Sequence, residues 1–331
     1  MTGAPRLEVL DGGLLTTVQD AGRRDWSHVG VPESGAADRW SLAVSNLLVG
    51  NDPSDAVLEA TLVGPTLAVL APITVGLAGA DLGARIRGGR RLAPGRSHRL
   101  VPGEVLEMPG GDGGERTAGC RAYLAVPGGI DVPLVLGSRS TCLAAAFGGL
   151  DGRPVQPGDR IDGRAATFLR PELVWPGDDG QGSTRRLRVL AGPDPAPAAL
   201  DQILAREWRV AAASDRVGVR LDGEPLPADL GGDATTLGVP WGAIQLPADG
   251  HPIVLGADHQ TTGGYAVVGV VISADFPVLG QLRPGQAVAL VRTVRATALA
   301  ALLEQRDALV AGAAALREAA GWGTLIDAAG G

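Results

Sequence analysis

Glycine or proline stands at nearly every junction between short apolar runs, and this punctuation limits the chain more than any other feature. Fifty Gly and 24 Pro are spread through the 331 residues instead of clustering in one tail. Runs such as "LEVL", "ITVGLAG" and "LRVLAG" are too short for helices, and the Gly and Pro between them supply the reversals. The chain therefore reads as mainly β. Aromatics make up only 3%, so Val, Leu, Ile and Ala must build the interior.

Helical spacing interrupts the pattern in a few places. In "AADRWSLAVSNLLVGN", Trp40, Ala43, Val44, Leu47 and Leu48 recur at helical intervals, with Asp38 as N-cap and Gly50 as terminator. "PAPAALDQILAREW" predicts a short helix. The tail "TALAALLEQRDALVAGAAALREAAGW" predicts a long one, with Leu299, Leu302, Leu303, Leu309, Val310, Ala313 and Leu316 near one face and packed on its own domain. The Pro- and Gly-rich stretch 171–186 reads as a linker. Three regions follow: a first β lobe over 1–185, a second over 186–293, and a C-terminal helix and tail over 294–331.

A weak internal repeat agrees with two related lobes. "VLGSRST" (135–141) and "VLGADHQTT" (254–262) are followed by "VQPGDRI" (155–161) and "LRPGQAV" (282–288) respectively. Closing each lobe into a barrel would remove the sheet edges that so many short strands create.

Charge and composition exclude several functions. The net charge of −7 argues against nucleic acid or an anionic membrane as the main partner. All 29 cationic side chains are Arg, so a Schiff-base lysine, a P-loop lysine and an attachment point for biotin or lipoyl are all missing. Two Cys and four His lack metal-ligand spacing, so no metal is expected, and both Cys are expected to be buried. No leader or long apolar segment is evident, which predicts a soluble, cytoplasmic chain.

Four polar segments carry the remaining chemistry. "TTVQDAGRRDWSHVGVPESGAADR" contains Asp20 and Arg23, read either as a surface ion pair or as an Arg fork for a carboxylate or phosphate. "GSRSTCLAAAFGG" places Ser138, Arg139 and Thr141 before an expected short helix, a ready anion site. "SDRVGVRLDG" pairs Asp215 with Arg216 ahead of an alternating strand. The fourth runs from Gln245, in an apolar strand, to "ADHQTTGGY", with Asp258, Gln260, Thr261, Thr262 and Tyr265. Gly263 and Gly264 allow a plain hairpin turn there, yet the loop holds more polar groups than a reversal needs. Together these segments fit a small anionic or amide substrate, without an activated nucleophile.

The motifs "VQDAGR", "GVPESGAAD", "NLLVGN", "YLAVPGGIDVPLVLGSRST", "FGGLDGRPVQPGD", "SDRVGVRL", "GAIQLP", "QTTGGY" and "QLRPG" run in order from about Leu7 to Leu290. In them the chain resembles the family of the C subunit of bacterial ATP-dependent 5-oxoprolinase. Members also carry the names allophanate hydrolase subunit 2, biotin-dependent carboxyltransferase domain and antagonist of a sporulation-kinase inhibitor. Two departures stand out: Thr236-Leu237-Gly238 replaces a common Ser-Glu-Gly, and Ala266 replaces a common Pro.

The resemblance implies two cyclophilin-like β-barrel lobes and a kinase-inhibitor-like partner, the B subunit, in a complex completed by the A subunit. It implies ATP-dependent opening of 5-oxoproline to glutamate, with the chain inactive alone and no covalently bound cofactor. Placed on family-matching positions, that chemistry has Arg23 and Arg139 holding an anion, Gln245 and Gln260 reading an amide, and Asp258 or Asp20 orienting water. Ser138, Thr141, Asp215, Arg216, Thr261, Thr262 and Tyr265 complete the expected binding set. The alternatives are a urea carboxylase-type component using biotin carried on another chain, or a non-catalytic regulatory partner.

Overall fold

The structure is a computed structural model and describes residues 6–111, 119–165, 167–177, 185–192, 197–231 and 233–321. The expectation of a mainly β chain with a few helices is met. Two compact units account for it: Met1–Gly22, Arg39–Gly182 and Arg306–Gly331 form the first, and Arg23–Asp38 and Ser183–Gln305 form the second. A linear division near residue 185 does not contain these exchanges of Arg23–Asp38 and the end of the last helix. No helix among the described residues is long and apolar enough to cross a membrane.

The first unit comprises β1 (Leu7–Asp11), β2 (Leu15–Gln19), α1 (Arg39–Leu47), β3 (Val57–Thr61), β4 (Thr66–Val69), β5 (Ile73–Gly79), β6 (Arg85–Ile86), β7 (Arg96–Leu100), β8 (Val105–Glu107), β9 (Arg121–Ala125) and β10 (Arg160–Ile161). They make two five-stranded antiparallel sheets, in the orders β10-β1-β4-β8-β6 and β2-β3-β9-β5-β7. Leu7, Val9, Leu67 and Leu106 of one sheet share a core with Val18, Leu58, Val75 and Leu124 of the other, as period-2 alternation requires. Cys120 and Cys142 are both buried, as expected.

The second unit comprises β11 (Arg186–Ala191), α2 (Pro197–Leu204), β12 (Trp208–Val210), β13 (Gly218–Asp222), β14 (Asp233–Gly238), β15 (Ala243–Leu246), β16 (Ile253–Leu255), β17 (Thr262–Val271), α3 (Phe276–Gly280) and β18 (Ala287–Arg292). The order β11-β18-β12-β13-β16-β15-β17 closes through a β11–β17 pairing into a seven-stranded barrel, and β14 extends it beyond β17. All pairs are antiparallel except β11 with β18. Trp208, Leu221, Ile244, Leu246 and Val254 fill the interior, and Leu200 and Ile203 of α2 join them.

Helix α4 (Arg295–Ala320) departs from its expected packing. Leu309, Ala313, Leu316 and Ala320 pack with Trp175, Leu47 and Leu48, a stripe at i, i+4, i+7 and i+11. A Cβ on Gly312 would lie 2.2 Å from the Trp175 ring, so Gly there permits the close approach. Leu299, Leu302, Leu303 and Val310 are exposed, because an Ala/Leu-rich helix is apolar around more of its circumference than one neighbour covers.

The expected linker is also partly structured. Residues 178–184 lie outside the described residues, but Trp175 N–H donates to Gly95 O at 2.8 Å and its ring is buried in the first unit. The internal repeat survives in its second half. Pro157-Gly158 and Pro284-Gly285 make matching turns into β10 and β18, with Gly φ of 91° and 82°. Its first half does not, since Val254 and Leu255 are in strand β16 whereas Val135 and Leu136 form a tight turn.

Candidate functional site

Strand alternation places a polar pocket on the outer face of the barrel. Val219 and Leu221 of β13 and Ile244 and Leu246 of β15 point into the core, so Gly218, Arg220 and Gln245 point away from it. Arg220 and Gln245 both pair with Ile253, and Gly218 pairs with Leu255. The result is a cavity of about 200 Å³ with Gly218, Ile253 and Leu255 among its lining residues. Asp215, Arg220, Gln245, Gln260 and Tyr265 give it polar groups.

Gln245 is the unusual member. It is 1% exposed, and a β-bulge interrupts its pairing with β17 between Ile244 and Gln245; such bulges re-aim side chains. Gln260 Nε2 donates to Gln245 Oε1 at 3.2 Å, which fixes the amide. Gln245 Nε2 finds no acceptor among the described residues. An unsatisfied buried donor of this kind costs about 1–3 kcal/mol, and a ligand acceptor would offset it. Gly263 makes the arrangement possible, because a Cβ there would sit 2.3 Å from Gln245 Nε2.

The loop before β17 is held from below. Arg216 Nε and Nη2 donate to Asp258 Oδ2 and Oδ1 at 2.7 and 3.1 Å, and Nη2 also donates to Gly35 O at 2.7 Å. Both side chains are buried. The ion pair therefore ties segment 23–38 and the Asp258 turn to the barrel, helped by Ser34 N–H donating to Ala257 O at 3.0 Å. Burial pushes the His259 imidazole below the usual histidine range, against the opposing pull of the Gln260 carbonyl and the Glu33 and Asp258 carboxylates. Its Nδ1–H donates to Gln260 O at 2.6 Å.

The first unit holds a second polar cluster, around Asp20. Its Oδ1 accepts from Ser138 Oγ at 2.7 Å, from Ser140 Oγ and from Gly22 N–H at 2.8 Å, and its Oδ2 accepts from Arg139 N–H. Thr141 Oγ1 donates to Val18 O at 3.0 Å, and Arg139 Nε to Val132 O at 2.9 Å. Ser138 and Thr141 are fully buried. These bonds hold the 138–141 loop against β2.

Of the residues singled out in sequence, Asp215, Gln245, Gln260 and Tyr265 meet in the barrel pocket. Thr261 and Thr262 lead into β17, where Thr262 pairs with Gly238 of β14. Several local expectations fail. Arg216 pairs with Asp258 and not with Asp215, whose Oδ1 accepts from the N–H groups of Val217 and Gly218. Arg23 is 1% exposed, so it is a buried side chain and not a surface one. Residues 142–147 are turns closed by a Cys142–Phe147 bridge, so the short helix expected after Thr141 does not form. Gly263 and Gly264 lie inside β17, and the turn falls at Ala257–Asp258.

Arg220 was missed. The alternation in "GVRLD" would have placed it outward with Gly218, but only the register with β16 and β15 brings it beside Gln245.

Comparison with known proteins gives a consistent family. The profile of the carboxyltransferase domain, subdomain A and B, matches residues 29–292. The C subunit of 5-oxoprolinase from Escherichia coli K12 is 35% identical over 91% of this chain and 95% of its own length. The solved structure of TTHA0988 is 35% identical with a TM-score of 0.79; the match covers 89% of this chain but only 56% of that one. The urea amidolyase structure of Kluyveromyces lactis, 27% identical with a TM-score of 0.82, is matched over 94% of this chain and 20% of its own.

Proposed function

The chain belongs to the family of the carboxyltransferase domain, subdomain A and B, and on that premise we propose that it is one subunit of an ATP-dependent 5-oxoprolinase. It works with a kinase-inhibitor-like B subunit plus the A subunit to open 5-oxoproline to glutamate. The near end-to-end match to a free-standing 5-oxoprolinase C subunit favours this over the urea-linked proteins, of which a comparable segment is a small part.

The observation that carries the reading is Gln245 Nε2, a buried donor without an acceptor beside a small polar pocket. A lactam carbonyl oxygen supplies the missing acceptor. Ring opening of an unstrained lactam needs that carbonyl activated. Phosphoryl transfer from ATP to the lactam oxygen does so and releases ADP. Water then adds at the carbon, the C–N bond breaks with the nitrogen taking a proton to give an acyl phosphate, and a second water hydrolyses that acyl phosphate to glutamate and phosphate.

In this chain Gln245 orients the carbonyl and Gln260 holds Gln245, which is positioning in the sense that sets reacting geometry. Asp258 and Asp20 have their oxygens engaged by protein donors, so their part is to hold the two loops. Arg23, Arg139, Ser138 and Thr141 support the same loops, Tyr265 lines the pocket, and Thr261 and Thr262 lead from Gln260 into β17.

The alternative is carboxyl transfer with biotin delivered by another chain, since this one has no Lys; the likeness to the Kluyveromyces lactis protein favours it. Co-purification with homologues of both partner subunits, omitting each in turn, tests the proposal. Glutamate formation from 5-oxoproline should require ATP and all three chains. A stable complex without turnover would refute it and favour carboxyl transfer.

A further inference from the structure

We propose that Arg220 is the anion-binding residue of the barrel pocket, holding the carboxylate of a ligand whose amide-type carbonyl oxygen accepts from Gln245 Nε2. The assignment rests on this pocket being the substrate site.

Register carries the geometry. Arg220 of β13 and Gln245 of β15 both pair with Ile253 of β16, so the three residues form one row across three strands. At the usual strand spacing their Cα atoms lie roughly 10 Å apart. Both side chains leave the same face of the sheet and line the same cavity. The gap suits a compact molecule with a carbonyl at one end and a carboxylate at the other, while Ile253 supplies apolar surface beneath it.

Arg220 is also available for this role. Arg153, Arg188 and Arg216 of this chain each hold a carboxylate. The Arg220 guanidinium makes no hydrogen bond or ion pair among the described residues; only its backbone is engaged, with its N–H donating to Ser214 Oγ at 3.1 Å. A guanidinium fork matches a carboxylate in two parallel hydrogen bonds. Asp215 faces the same cavity and disfavours a second negative charge, so the ligand is a monoanion. Two sources share this chemistry: a lactam acid such as 5-oxoproline, and a ureido acid, which also carries an amide-type carbonyl and a carboxylate.

Calorimetric titration of the full-length chain separates them. The ligands are 5-oxoproline, N-carbamoylglycine, pyrrolidin-2-one, which has the carbonyl but no carboxylate, and proline, which has the reverse. At least one of the two acids should bind, with pyrrolidin-2-one and proline each weaker. Arg220→Gln should weaken the bound acid by about 10- to 100-fold and leave pyrrolidin-2-one unchanged, while Arg220→Lys recovers part of the loss. Arg220 is exposed, and an unchanged thermal transition in each variant confirms the fold.

Acid binding insensitive to Arg220→Gln overturns the assignment, as does failure of both acids to bind the wild type. Binding of N-carbamoylglycine but not 5-oxoproline, with the Arg220 dependence intact, supports the assignment and refutes the 5-oxoprolinase reading.

Discussion

Replacing Asp258 with alanine removes a carboxylate bonded twice to a guanidinium that is itself almost wholly enclosed. The side chains of Arg216 and Asp258 are 3% and 4% exposed, and they meet through Nε–Oδ2 at 2.7 Å and Nη2–Oδ1 at 3.1 Å. Without Asp258, Arg216 loses both of these charge-assisted bonds, while its bond to the Gly35 carbonyl at 2.7 Å stays. Exposed pairs such as Arg24–Glu33, 3.9 Å apart, are worth about 0–1 kcal/mol. Breaking a buried pair costs about 3–5 kcal/mol because a charge loses its partner away from water, so Asp258→Ala should lose about that much. Urea unfolding of the full-length chain reads the change, followed by the fluorescence of the buried Trp208 and Trp241. The double variant Arg216→Met/Asp258→Leu buries no charge and should be more stable than Asp258→Ala alone. A loss under about 1 kcal/mol, or a double variant as damaged as the sum of the singles, would refute the view that the pair is a buried clamp.

Three further outcomes are expected. Gly263→Ala puts a methyl 2.3 Å from Gln245 Nε2, whereas at Gly264 the nearest atom is 3.5 Å away; the first should abolish ligand binding and cost about 1–3 kcal/mol, and Gly264→Ala should do neither. The His259 pKa is lower in the folded chain than in the unfolded one, so the unfolded state binds more protons and stability falls as pH drops below about 6.5. Urea midpoints at pH 7.5 and 5.5 should differ less in His259→Asn than in the wild type. Asp20→Ala removes the acceptor shared by Ser138, Ser140 and the Arg139 N–H, and faster amide exchange over residues 138–141 should follow.

Much of the fold was legible because it is local. Alternation in segments such as "LEVLD" and Gly-Pro punctuation made the strands readable, and the motif order pointed to the family. The site was legible in its parts: Gln245 stood out as a polar residue in an apolar strand, and Gln260 and Tyr265 as surplus polarity before β17. What escaped depends on contacts between distant residues. Asp258 is paired with Arg216, 42 positions away, and not with a neighbour. Arg220 joins the pocket only through the β13-β16-β15 register, which no single strand encodes. Gly263 looked like a turn residue, but its lack of a side chain serves the Gln245 amide inside a strand. The helix expected after Thr141 gave way to turns in which Ala146, Gly148 and Gly149 all take positive φ.

The side-chain amide of Gln245 is the most direct reporter on the site. Its ¹⁵N–¹H resonances, identified by their absence in Gln245→Leu, can be followed while the full-length chain is titrated with 5-oxoproline. They should shift saturably, with the Gln260 amide moving in step. Saturable binding that leaves the Gln245 resonances in place would mean the ligand sits elsewhere and would contradict the account.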